Sequence, residues 1–147
     1  SLLDGAVRTK DMVKRAAKLG MPAVAITDHG NMHGAIEFYK EAGSAGVKPI
    51  LGMEAYVSPR PVSEKNAGNG KDNYSHMTLL AADERGYGNL VKLSSAAHLE
   101  GFYYKPRVDR SMLEMHHEGL IALSGCLRSD LNTKILAGDE AGALQLA

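Results

Sequence analysis

Apolar residues fall into two alternating periods along this chain. Between residues 9 and 19, Met12, Val13, Ala16 and Ala17 recur at helical spacing, with Thr9 as the start signal and Gly20 as the stop. Pro22 then introduces the β-rich run Ala23-Val24-Ala25-Ile26-Thr27. A second helical stretch over 35–42 would bury Ile36, Tyr39 and Phe38, and Gly46 and Pro49 lead into a strand over 50–57. The two units share one design: helix, glycine, proline, strand, then an acid or an imidazole.

The pattern breaks over 58–73, where Pro59, Pro61, Gly68 and Gly70 stand among Asn, Lys and Ser residues; this reads as an exposed, mobile loop. A strand follows over 76–82. Asp83 is placed to cap a helix carrying Leu90, Val91 and Leu93 towards Ala97. Residues 102–108 read as irregular or a short strand, and Asp109 caps a further helix that ends before Gly119. The apolar run over 120–124 stops at Gly125-Cys126, and two short helical patterns close the chain, over 127–137 and from 139. Strands alternating with helices of about 10–15 residues predict βαβ units and a mainly parallel sheet. Near-continuous apolar strands predict helices on both faces. The class is α/β, with about four strands, too few to close a barrel.

Composition narrows the function classes. Hydrophobic residues at 44% and charged residues at 23% over 147 positions describe one globular domain rather than a disordered tail. Lys+Arg 17 balances Asp+Glu 17, so a nucleic-acid role would rest on a local site or be shared with a partner. Cys126 is the single cysteine, which excludes an internal disulfide and fits a cytoplasmic location. No apolar run approaches the ~20 residues of a membrane helix, so no membrane partner is expected. Ser1 is not a start methionine, and the opening Ser1-Leu2-Leu3-Asp4-Gly5 reads as the middle of a longer protein. Raw strand edges in such a piece predict marginal stability for the isolated chain.

Candidate chemistry gathers at strand ends. Asp28-His29-Gly30-Asn31 directly follows the first strand run. Three runs end at a metal-competent residue, namely His29, Glu54 and Cys126, and parallel strands in register would bring these to one rim. Imidazole, carboxylate and thiolate suit zinc or a similar divalent ion. Two such ions would generate a nucleophile from water and clamp a phosphoryl group. Each residue also has a plain reading: Asp28 as a cap, Glu54 as a surface position, Cys126 as a small core residue. His76 precedes its apolar run, so a parallel strand would put it at the opposite end. His33, His98, His116 and His117 read as packing or solvent residues.

Together these blocks resemble a known family. Residues 1–5, Gly20 through Met32, Gly52-Met53-Glu54-Ala55-Tyr56-Val57, His76-Met77-Thr78-Leu79-Leu80-Ala81, Gly101-Phe102-Tyr103-Tyr104-Lys105-Pro106-Arg107 and Leu123-Ser124-Gly125-Cys126-Leu127 are similar to the PHP (polymerase and histidinol phosphatase) domain of bacterial DNA polymerase III alpha subunits. The resemblance covers almost the whole chain. It implies a partial, distorted TIM-like barrel of seven strands, a single PHP domain over 1–147 truncated at both ends. A His-x-His strand would lie before Ser1 and an Asp-x-His motif beyond residue 147.

By the same resemblance His29, Glu54, His76 and Cys126 are metal ligands, Asp4 a further acidic one, and Asp28 a ligand or an orienting neighbour. It overrides the objection to His76. It implies zinc or manganese here and magnesium at a polymerase site elsewhere. His29 and Glu54 would be catalytic in phosphoester hydrolysis, as a 3′-to-5′ exonuclease or pyrophosphatase. Lys105 and Arg107 are candidates for substrate phosphates, with a solvated basic pair beside Pro106 as the plain alternative. The implied partners are the rest of the alpha subunit, the proofreading exonuclease and DNA held by the full polymerase. A non-catalytic docking module is the competing reading. A free-standing histidinol phosphatase is disfavoured by the Gly101–Arg107 block.

Overall fold

The computed structural model describes residues 5–65, 74–125, 127 and 129–146. In chain order they form α1 (Thr9–Lys18), β1 (Ala23–His29), α2 (Ala35–Ser44), β2 (Lys48–Val57), β3 (Ser75–Ala81), α3 (Glu84–Leu99), β4 (Phe102–Tyr103), β5 (Lys105–Val108), α4 (Arg110–Met115), β6 (Leu120–Leu123), α5 (Asp130–Leu136) and α6 (Glu140–Leu146). No helix among the described residues is long and apolar enough to cross a membrane. The class is mixed α/β, as the alternation predicts.

β2 is the centre of a six-stranded sheet. β3 pairs antiparallel with its second half, Glu54 facing Thr78 and Tyr56 facing His76. The other edge of β2 is shared. β1 lies parallel along it from Lys48 to Glu54, and β5 takes over at Tyr56 and Val57. β6 pairs antiparallel with β3, and β4 with β5. The expected mainly parallel sheet is therefore mixed, because β3 runs against its neighbours.

Alternation along β2 decides what each face does. Met53, Ala55 and Val57 join Leu79 and Val108 in a core closed by Leu90, Leu93 and Ala97 of α3. On the same face Ile26 packs with Val13 of α1 and with Phe38 and Ala42 of α2. The opposite face carries Glu54, Tyr56, His76 and Thr78, together with Ile121 and Leu123, which are 51% and 49% exposed. The expectation of helices on both faces is thus corrected: α1, α2 and α3 cover one.

Several helix details also differ. Arg8 occupies the cap of α1, so Thr9 is its first helical residue. α2 buries Ala35, Phe38 and Ala42, while Ile36 and Tyr39 face solvent. Asp83 and Asp109 do cap α3 and α4, accepting from the Gly86 and Met112 N–H groups. The loop expected over 58–73 begins anchored, with Ser58 and Val62 buried, and its residues 66–73 lie outside the described ones. Ser58 N–H donates to the Val108 carbonyl and Val62 N–H to the Asp109 carboxylate.

Candidate metal centre

Strand ends bring three donors together. His29 is the last residue of β1 and lies in register with Glu54 of β2. His76 stands at the start of β3, but β3 is antiparallel, so its start meets the carboxyl half of β2. This direction removes the objection that spacing raised against His76. One ligand atom from each of His29, Glu54 and His76 lies within 4.8 Å of the other two.

The carboxylate sits between the imidazoles. Glu54 Oε1 is 2.8 Å from His76 Nδ1, and Oε2 is 3.6 Å from His29 Nδ1. The His29 side chain is 10% exposed and that of Glu54 22%, so the carboxylate is shielded enough to require a partner. Two nitrogen donors and an oxygen donor this close together fit a divalent cation. Among the described residues this is the group of three or more such side chains with that proximity.

Aromatic rings wall the cluster. The Tyr56 ring stacks on His29 at 5.9 Å and meets His76 edge-on at 5.1 Å. Tyr74 stacks on His76 at 5.8 Å. The Lys105 ammonium lies 5.5 Å from the Tyr56 ring centre, on the face that carries Glu54. Tyr56 and Tyr74 escape a reading that looks only at strand ends. The signal for Tyr56 was alternation, since it stands two residues beyond Glu54 on the same strand face.

The turn after His29 is built by its neighbours. Gly30 takes φ 64°, and its N–H donates to the Glu54 carbonyl. A Cβ there would come within 2.7 Å of Pro106 and 2.9 Å of Tyr56. The Asn31 side chain donates to the His29 carbonyl and accepts from the His33 N–H. The Asp28 carboxylate accepts from the Gly34 N–H at 3.2 Å, which braces this turn. It is not among the three clustered donors. Asp28 and His29 also line a cleft of about 380 Å³ with Thr9 and Glu37.

The remaining candidates separate. Asp4 and Cys126 lie outside the described residues. Gly125, beside Cys126, packs directly against the His76 carbonyl. Arg107 is corrected as a substrate contact: it is 2% exposed, and its guanidinium donates to the Gly101 and Val62 carbonyls. Those bonds hold β5 to the α3–β4 turn through Gly101 and to the segment after β2 through Val62. His33, His98 and His117 are exposed, as expected.

Comparison with known proteins agrees in family. The PHP domain profile matches residues 1–147. The DNA polymerase III subunit alpha of Thermus aquaticus is 53% identical over 139 residues, covering 92% of this chain and 11% of that protein. The corresponding subunit of Deinococcus radiodurans is 48% identical over 147 residues, covering 95% of this chain and 11% of its own length. The chain thus spans about a tenth of these relatives. A solved Bifidobacterium adolescentis protein, described only provisionally as a metal-dependent phosphoesterase, aligns at TM-score 0.42 and 24% identity over 65% of this chain and 30% of that one. A likeness of that size carries no argument about fold.

Proposed function

Since the chain belongs to the PHP domain family, we propose that it is the PHP region of a bacterial DNA polymerase III alpha subunit and that His29, Glu54 and His76 hold a divalent cation, zinc or manganese. The observation that carries this reading is the approach of those three donors to within 4.8 Å from three different strands. Asp4 and Cys126 complete the proposed ligand set. The run of β6 towards Gly125, against His76, supports the second of these.

A cation held there supplies positive charge against a phosphoester and acidity to water. His29 and His76 hold it through ring nitrogens and orient Glu54 between them. Glu54, the carboxylate between the imidazoles, is the proposed partner of His29 in handling the proton that water gives up during hydrolysis. Tyr56 and Tyr74 keep solvent from two sides of the imidazoles. Lys105 is the proposed phosphate contact. The reaction is phosphoester hydrolysis, of the 3′-to-5′ exonuclease or pyrophosphatase kind, beside DNA synthesis that uses magnesium at a separate polymerase site. The sheet is a sector of a distorted barrel, and the partners are the rest of the alpha subunit and the proofreading exonuclease.

A structural docking role is the second reading, favoured by the half-exposed Ile121 and Leu123 on the open sheet face. Elemental analysis of the full-length polypeptide that carries this chain tests the metal site. Bound zinc or manganese should fall in Glu54→Gln and His29→Ala; an unchanged metal content would remove the proposal. Metal retained without metal-dependent cleavage of a phosphodiester would select the docking role.

A further inference from the structure

Ala6 and Tyr104 are the non-glycine residues at positive φ among those described, and Tyr104, at φ 58°, is the bulky one. That region is costly for a large L-residue and is adopted only under constraint. The constraint is the β4–β5 hairpin, which pairs Tyr103 with Lys105 and leaves Tyr104 alone to make the turn. Glycine would meet the same turn without strain. The position instead holds a tyrosine that is 69% exposed. Its ring meets Tyr103 edge-on at 4.7 Å, and Tyr103 is backed by the Arg107 guanidinium at 5.2 Å. A solvent-facing ring held by a strained backbone and a braced neighbour does nothing for the core. Such strain is characteristic of ligand contacts.

The next residue indicates the ligand. The Lys105 ammonium lies over Tyr56, which stacks on His29 of the proposed metal cluster. An aromatic face and an ammonium on consecutive residues, beside a phosphoester site, suit a phosphate that carries a planar base. Base faces are covered in a duplex and open in a single strand. The balanced charge of the chain, 17 basic against 17 acidic residues, agrees with a local grip and not a long basic track.

We propose that Tyr104 stacks on an unpaired nucleobase while Lys105 holds the adjoining phosphate, so that the β4–β5 tip seats a single strand beside His29, Glu54 and His76. This rests on the metal-dependent phosphoesterase reading above. The test irradiates the full-length polypeptide with a single-stranded oligonucleotide carrying 5-iodouracil and maps the crosslinked peptide, with bound metal measured in the same samples. A crosslink at Tyr104 is expected, kept in Tyr104→Phe, absent in Tyr104→Gly, and reduced at least about fivefold in Lys105→Gln, all with metal content unchanged. Tyr104→Gly should also melt at a higher temperature, because glycine relieves the turn; a purely structural tyrosine would give a lower one. Metal bound with crosslinks only elsewhere, or a lower melting temperature for Tyr104→Gly, overturns the tip. Absence of metal at the cluster overturns the reading beneath it, and the tip with it.

Discussion

Gly30 shows how closely one residue can be bound to the site around it. Its positive φ turns the chain away from β2 directly after His29, and its missing side chain lets Pro106 and Tyr56 close on the turn. Gly30→Ala should therefore lower stability by about 1–3 kcal/mol, from backbone strain plus the displacement of Pro106, as read in urea unfolding. The same substitution should weaken binding at the proposed metal site, read as metal content, since His29 is anchored by that turn. Site residues were unevenly legible in the sequence. His29 and Glu54 stand out because polar groups end or interrupt apolar runs. Arg107 misled because a basic residue beside Lys105 looks solvent-bound, whereas its guanidinium satisfies two buried carbonyls.

At the scale of elements, α4 and the segment after β2 are joined by one carboxylate. Asp109 caps α4 through the Met112 N–H, accepts from the Ser111 hydroxyl, and also receives the Val62 N–H. Burial alone would raise its pKa, yet the Ser111 hydroxyl and the Val62, Met112 and Ser111 N–H groups together hold it below the ordinary carboxylate value. A depressed folded-state pKa contributes stability above the unfolded value, and that contribution is lost as pH falls through the folded one. The acid limb of an unfolding curve below about pH 4 should therefore be shallower in Asp109→Asn than in the parent. Asp109→Ala should cost roughly 2–3 kcal/mol at neutral pH, because the Val62 N–H is left buried without an acceptor. The caps at Asp83 and Asp109 were readable locally. Strand direction was not: nothing within 75–81 records that β3 runs against β2, because direction is set by pairing. The buried face of α2 was misjudged for a related reason. Both its faces carry apolar residues, and the small Ala35 and Ala42 hide beside Phe38 while the larger Ile36 and Tyr39 stay outside.

Across the whole molecule, burial is one-sided. Leu90 and Leu93 have no exposed surface, whereas Ile121 and Leu123 on the opposite sheet face keep about half of theirs. Leu93→Ala should cost about 2–5 kcal/mol by loss of burial and an unfilled cavity. Ile121→Thr should change stability by less than ~1 kcal/mol in the same denaturation assay. Equal effects from the two would mean that the open face is packed after all. The α/β class and the order of elements followed from periodicity. The one-sided cover did not, because an apolar strand reads alike whether both its faces are buried or one is half open. All three clustered donors come from the contiguous stretch β1-α2-β2-β3, ahead of α3. During synthesis the ribosome has thus joined every one of them once Ala81 is in place, before the helix bearing Leu90 and Leu93 exists. A cation taken up by the proposed site would then tie β1, β2 and β3 to one another as they emerge from the ribosome, coupling metal loading to the folding of the newborn chain.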